Sequence, residues 1–299
     1  MEPVKKIDLH AHTIMGEGLL TWPGGKPLVS AETLLSIYDE LGVELGVLLP
    51  LISPECSYEF STNLQCMEMA RKFPERFAWF CSIDPRMGLN NPQTDFVRMV
   101  EHYKSLGAKG VGELTANVPF DDPRTQALFA ACERCGMPVL FHVGDPESDY
   151  GLIDSIGLPR LEQALQRFPK LTFIGHSQKF WAEISGDVTE EIRAGYPTGP
   201  VAPGGRIAQL LRQYPNMCCD LSANSGANAL MRDPEHAYGF LEEFQDRIFY
   251  GMDLCCPQNK AHLLGKLPGF LDDAMLQGKI SYDAYVKISR GNALLLLQR

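Results

Sequence analysis

Eight short apolar, β-rich runs recur along the chain, each followed by a segment of helical periodicity. That alternation restricts the fold more than any other feature. The runs are residues 7–12, 43–50, 77–84, 108–114, 138–144, 171–176, 217–222 and 247–252. A helix between successive strands implies parallel pairing, because antiparallel neighbours need only a tight turn. Eight such units predict a closed (β/α)8 barrel, read as one domain over residues 1–299. No Ser- or Gly-rich linker divides the chain. A doubly wound open sheet is the competing architecture. It would place a Gly-rich turn after the first strand, whereas this turn opens with His10-Ala11-His12.

The helices carry their own punctuation. Ser30 is placed to cap a helix whose apolar residues Leu34, Leu35, Ile37, Tyr38 and Leu41 share one face, with Gly42 as its stop. Further helices are expected at about 92–106, 121–135, 158–168, 206–214, 228–244 and 282–298. Residues 177–205 read as the longest irregular stretch.

On a strand, side chains alternate between faces, so His10 and His12 point the same way, roughly 7 Å apart along the backbone. Two imidazoles can converge from there on one metal ion. A barrel gathers the C-terminal strand ends at one mouth. The polar residues that fall at those ends are His10, His12, Glu113, His142, His176, Asp220 and Asp253. Zinc takes His nitrogen and carboxylate oxygen and keeps an open position in a catalytic site. His10, His12, His142 and Asp253 meet that need. His176 is a further ligand or a catalytic group, and Glu113 bridges a second ion, sits beside the first, or contacts substrate. Asp253 would take a proton from metal-activated water and return it to a leaving group. His176 would polarise a carbonyl. One zinc ion is expected, with two compatible and Mn2+ or Fe2+ admissible.

Asp8 is expected on the face of the two histidines, one pleat deeper, as a buried supporting carboxylate. Asp220 reads as an anchor for the loop 222–226. Lys179, Trp181, Asn224 and Asn228 lie in loops expected to open on the site and are candidate substrate contacts. The loops 16–27 (with Trp22), 53–62 and 177–205 would define the substrate.

Several classes are disfavoured. The charge is −10, from 27 Lys and Arg against 37 Asp and Glu, which argues against a nucleic-acid or anionic-membrane surface. No apolar run approaches the roughly 18 residues of a membrane span, and no secretory signal precedes the first strand. The nine cysteines include one CxxC, Cys132 and Cys135, without the second pair that a zinc ribbon needs. They are expected as small buried thiols in a reducing, cytoplasmic setting. The expected partner is a small-molecule substrate, with no nucleic acid and no membrane; a homo-oligomer is compatible with this reading.

The segments Ile7-Asp8-Leu9-His10-Ala11-His12, Leu140-Phe141-His142-Val143-Gly144, Ile174-Gly175-His176 and Tyr250-Gly251-Met252-Asp253-Leu254 occur in the order found in the amidohydrolase superfamily. Arg290-Gly291-Asn292-Ala293 resembles that superfamily's final helix. Residues 73–77 and 121–124 are similar to its amidohydrolase-related branch, which holds metal-dependent hydrolases and aminocarboxymuconate-semialdehyde-type decarboxylases. The resemblance covers nearly the whole chain. It implies a metal-dependent hydrolase-type barrel with His10, His12, His142 and Asp253 as zinc-type ligands and His176 as ligand or catalytic residue. The activity expected first is hydrolysis of an amide, ester or lactone by hydroxide formed at the metal. The alternative is non-oxidative decarboxylation on the same barrel. A TatD-like nuclease, suggested by Gly112-Glu113, and a non-catalytic metal-binding protein rank lower.

Overall fold

The computed structural model describes residues 1–16, 18, 26–56, 58–147 and 150–298. The strands are β1 (Lys6–Ala11), β2 (Val43–Leu48), β3 (Phe77–Trp79), β4 (Val111–Leu114), β5 (Val139–Gly144), β6 (Leu152–Ile153), β7 (Phe173–His176), β8 (Met217–Asp220) and β9 (Ile248–Phe249). All pairings are parallel, in the orders β1-β2-β3 and β4-β5-β7-β8-β9, with β6 on the side of β5. Backbone hydrogen bonds cross both seams. Between β3 and β4, Lys109 N–H donates to Trp79 O (3.0 Å) and Cys81 N–H to Gly110 O (2.9 Å). Between β9 and β1, Leu9 N–H donates to Tyr250 O (3.0 Å) and Asp253 N–H to His10 O (2.8 Å). The eight strands expected from the sequence therefore form the (β/α)8 ring; β6 is an addition the sequence reading did not foresee.

Strands β2, β3, β8 and β9 stop short of the ends of their apolar runs, because the last residues leave the ladder towards the mouth. The run 247–252 pairs only at Ile248–Phe249, and 77–84 only at Phe77–Trp79. The helical segments expected over 228–244 are two helices, Ala223–Met231 and Pro234–Glu243. Pro234 lacks the N–H needed to continue the first and fits the opening turn of the second. The expected helix 282–298 is interrupted by a π-helical turn at Lys287–Gly291. The stretch read as irregular carries two short helices, Gln178–Ala182 and Glu190–Arg193. Ser30 and Gly42 cap their helix as expected: Ser30 Oγ accepts from Thr33 N–H, and Gly42 adopts φ +71°.

Apolar side chains occupy two layers. Ile7, Leu9, Val47, Leu49, Leu140 and Ile174 meet inside the ring, where Ala293 and Leu296 of the last helix join them. The larger cluster lies between the strands and the surrounding helices. No helix among the described residues is long and apolar enough to cross a membrane. None of the nine cysteines forms a disulfide.

Strand β1 contains the irregularity that matters most. Asp8 lies opposite Gly46 and Ala11 opposite Leu48, so three steps on β1 match two on β2. Such a bulge re-aims the side chains beyond it. Ile7 and Leu9 face the ring interior before it, and the histidines face the mouth after it. The shared face expected for Asp8, His10 and His12 is thereby broken. Asp8 instead accepts from Tyr38 Oη (2.5 Å) on the outer helix and from the N–H groups of His10 (2.9 Å) and Met252 (2.8 Å). Burial pushes its carboxyl up to about 6 against these hydrogen bonds. Gly46 makes room for the tyrosine, since a Cβ there would sit 2.5 Å from Tyr38 Oη. Tyr38→Phe is expected to cost about 1–3 kcal/mol, the penalty of a buried acceptor left short of a donor. Chemical denaturation would show it as a lower midpoint at unchanged slope; an unchanged midpoint would mean that Asp8 does not need the phenol.

Candidate metal centre

The strand ends bring six side chains together. His10 lies within the bulged step between Asp8 and Ala11 of β1, and His12 lies one residue past the strand. Glu113 comes from β4, His142 from β5, His176 ends β7 and Asp253 follows β9. Glu113 depends on Gly112, because a Cβ there would sit 2.6 Å from Leu140 O. Three residues that immediately follow the site's strands or turns hold positive φ without being glycine: Ser177 (117°), Ala223 (60°) and Asp253 (54°). Backbone of this kind persists where the surrounding structure fixes it, and it gathers at functional sites.

His10 Nε2 and His12 Nε2 are 3.0 Å apart. The other nitrogen of each ring is committed. His10 Nδ1 donates to Asp220 Oδ2 (2.9 Å) and His12 Nδ1 to Leu49 O (3.0 Å). A carboxylate and a carbonyl can only accept, so the hydrogen-bond network assigns the proton of each neutral ring to Nδ1. Two Nε2 lone pairs then face each other at contact distance, which is repulsive unless a cation lies between them. The carboxylates complete the case. Glu113 Oε2 is 3.5 Å from His10 Nε2 and 3.3 Å from His12 Nε2; Asp253 Oδ1 is 3.9 and 3.4 Å from the same atoms. Ligands at zinc-type bond lengths in a tetrahedron stand about 3.3–3.5 Å apart. The donor set therefore fits a divalent ion.

His142 and His176 form a second group with the far oxygens. His142 Nδ1 is 2.9 Å from Glu113 Oε1. His176 Nε2 lies 3.9 Å from Glu113 Oε1 and 3.7 Å from Asp253 Oδ2. The sets His10–His12–Asp253 and Glu113–His142–His176 each have donor atoms within 4.8 Å of one another. His142 thus meets Glu113 and His176 rather than the His10–His12 pair. The carboxylates of Glu113 and Asp253 span both groups, the geometry that one or two ions would share.

The sequence suggests Asp220 as a loop anchor; in the structure its place is more central. It is fully buried. Oδ2 takes His10 Nδ1, while Oδ1 takes His176 Nδ1 (3.1 Å) and the N–H of Ser222 (3.0 Å). Ser222 Oγ bonds Asp220 Oδ1 and reaches His176 Nδ1 at 2.7 Å. Burial disfavours the Asp220 charge, but His176 and His10 facing it hold the carboxyl well below its ordinary range. Glu113 is held low in the same way: burial opposes ionisation, and His10, His12 and His142 overcome it. One carboxylate thus fixes the orientation of two imidazoles, the usual support for metal-ligating histidine. Sequence placed Asp220 at the correct strand end but could not show which way its oxygens point.

A cavity of about 310 Å³ opens over these groups, bounded by Tyr150, Cys56, Cys255, Asn259 and His262 among others. Tyr150 lies against His142 at 4.5 Å between ring centroids. Cys255 Sγ is 3.3 Å from Asp253 Oδ1. Cys56 belongs to the loop 53–62 expected to define the substrate; His262, whose helical setting in the sequence suggests a structural or surface role, borders the cavity instead, and Tyr150, Cys255 and Asn259 carry no signal as site residues in the sequence. Of the four expected substrate contacts, Asn224 lines this cavity. Trp181 is buried and donates from Nε1 to Asp220 O (3.0 Å), so it supports the site from behind. Lys179 pairs with Asp145 beside a separate cavity. Asn228 donates to Pro197 O (3.0 Å) in another small pocket. Trp22 lies outside the described residues.

A (β/α)8 barrel with histidines and carboxylates converging at its C-terminal mouth defines a metal-centre barrel protein. The amidohydrolase family model matches residues 7–298, and the chain belongs to that family, whose members use a divalent metal. Among curated proteins none matches. Solved structures share the fold. An uncharacterised TIM-barrel protein from Bordetella bronchiseptica is 20% identical, with TM-score 0.66 over 99% of this chain and 100% of that one. A dihydroxybenzoic acid decarboxylase from a Polaromonas species, with bound manganese and the inhibitor 2-nitroresorcinol, is 17% identical, with TM-score 0.61 over 100% and 97%. A probable 2-pyrone-4,6-dicarboxylic acid hydrolase from Acinetobacter baumannii, with citric acid bound, is 15% identical, with TM-score 0.57 over 99% and 100%.

Proposed function

We propose that the protein is a metal-dependent hydrolase of an uncharged ester, lactone or amide. One observation carries the choice: no Lys or Arg is among the described residues that line the cavity over the metal centre. Of the undescribed residues, 17, 19–25, 57, 148 and 149 include none either, and the one basic residue among them is Arg299. The acidic side chains among the described lining residues are Glu113 and Asp253. A substrate anion would meet no guanidinium fork there, whereas a neutral carbonyl compound needs no counter-charge. The volume suits a compact molecule, at the lower end of the roughly 300–1,000 Å³ range of small-molecule sites.

His10, His12, Asp253 and Glu113 would hold the ion, with His142 and His176 as the neighbouring imidazoles. Zinc suits this imidazole–carboxylate set. When bound, a divalent ion supplies Lewis acidity and brings the pKa of a coordinated water down toward about 7. The chain's own residues supply the rest. Asp253 takes the proton of the attacking water and returns it to the departing alcohol or amine as the carbon–oxygen or carbon–nitrogen bond breaks. His176, with Nδ1 held by Asp220, presents Nε2 toward the oxygen that gains negative charge. Asn224 commits its Oδ1 to Leu264 N–H (3.2 Å), which leaves its NH2 as the group for substrate.

A panel of neutral esters, lactones and amides, run with Zn2+ or Mn2+ beside hydroxylated benzoates under carbon dioxide detection, tests this reading. Turnover within the neutral panel and no carbon dioxide is the expected result. Carbon dioxide release without hydrolysis would replace it with the decarboxylase reading.

A further inference from the structure

Ser222 stands at the N-cap of the helix Ala223–Met231, yet its hydroxyl does not cap it. The serines before other helices behave differently: Ser30, Ser177 and Ser281 each accept a backbone N–H of the first turn on Oγ. The Ser222 side chain is buried and turns to the metal centre instead. Its Oγ lies within hydrogen-bond reach of three atoms: Asp220 Oδ1, His176 Nδ1 (2.7 Å) and His10 Nδ1 (3.1 Å). A Cβ at Gly251 would sit 2.9 Å from Ser222 Cβ and 3.3 Å from His10 Cβ, so that glycine leaves the space in which the two side chains meet.

The protons available fix the direction of each bond. A hydroxyl has one proton and two lone pairs. The Asp220 carboxylate can only accept, so its contact with Oγ takes the hydroxyl proton. The two lone pairs that remain can only accept, and both imidazoles must then donate from Nδ1. A ring with Nδ1 bare would set one lone pair against another in a buried place, at the cost of an unmade hydrogen bond. For His10 this agrees with the proton position that Asp220 Oδ2 already requires. For His176 it supplies the nearer partner, Oγ at 2.7 Å against Asp220 Oδ1 at 3.1 Å.

We propose that Ser222 is a positioning residue of the metal centre: its hydroxyl, anchored on Asp220, holds His176 and His10 as Nδ1–H tautomers and turns Nε2 of both rings to the mouth. The role rests on the metal-centre reading and is the same for hydrolysis and for decarboxylation, so turnover is not its readout.

Imidazole nitrogen NMR of the full chain loaded with Zn2+ tests it, read beside zinc affinity from chelator competition. The wild type should show a hydrogen-bonded proton on Nδ1 of His176. Ser222→Ala should keep the helix, since no cap is lost, but move that resonance and weaken zinc binding by about 10-fold, the lower end of the loss for a group behind metal-ligating histidines. A His176 proton on Nε2 and not on Nδ1 in the wild type, or an unchanged Nδ1–H resonance and zinc affinity in Ser222→Ala, would overturn the proposal. If Ser222→Ala does not fold, Ser222→Gly, which also lacks the hydroxyl and suits a helix N-cap, decides it by the same two measurements.

Discussion

Replacing Asp220 by alanine is expected to lower both metal retention and kcat/KM by about 10–100-fold, the usual loss when a carboxylate behind metal-ligating histidines is removed. The reason lies in two contacts. Oδ2 holds His10 Nδ1 at 2.9 Å and Oδ1 holds His176 Nδ1 at 3.1 Å. Without them each ring is released to rotate or to shift its proton, and Nε2 no longer points reliably at the centre. Two buried N–H groups also lose their acceptor, at about 1–3 kcal/mol each. Asp220→Asn separates orientation from charge. Its one oxygen can accept from one ring, while its NH2 confronts the Nδ1–H of the other, so it should fall between wild type and Asp220→Ala in metal content. Elemental analysis after dialysis, read beside steady-state kinetics, measures both effects. Wild-type metal content and turnover in Asp220→Ala would show the carboxylate to be idle.

Asp253→Asn should retain the fold and lose about 10²–10⁴ in kcat, the range for removal of a general acid–base group. Its backbone role survives substitution, since Asp253 N–H still reaches His10 O. The side chain changes character. An amide presents one oxygen where the carboxylate offered Oδ1 to His12 (3.4 Å) and Oδ2 to His176 (3.7 Å), and it cannot take up a proton near neutral pH. Asparagine also tolerates the positive φ of this position. The fold is therefore expected to be intact by circular dichroism while turnover collapses. Near-normal kcat in this variant would remove Asp253 from proton transfer.

Both expectations concern residues at strand ends, where the sequence could be read furthest. A parallel strand buried on both faces is apolar until it leaves the sheet, so a polar residue at its C-terminal end stands out. His10, His142, His176 and Asp220 were visible for that reason. Contacts across the ring were not. Nothing in residues 217–222 states that Asp220 will face His10, more than 200 positions earlier in the chain, and Trp181 gave no sign that its indole would bond Asp220 O instead of facing substrate.

The sequence by itself determined the order of strands and helices, the barrel they close, and the histidines and carboxylates that its mouth collects. Those properties follow from local periodicity and from the rule that parallel strands need helical crossovers. Only the tertiary structure decided that a bulge in β1 turns Asp8 toward Tyr38 while His10 and His12 face the mouth. It also decided that Glu113 and Asp253 extend across two groups of histidines, and that Asp220 sits between two imidazoles. Each depends on the register of one strand against another and on the direction of a single side chain, quantities set by packing around the closed ring rather than by any one stretch of sequence.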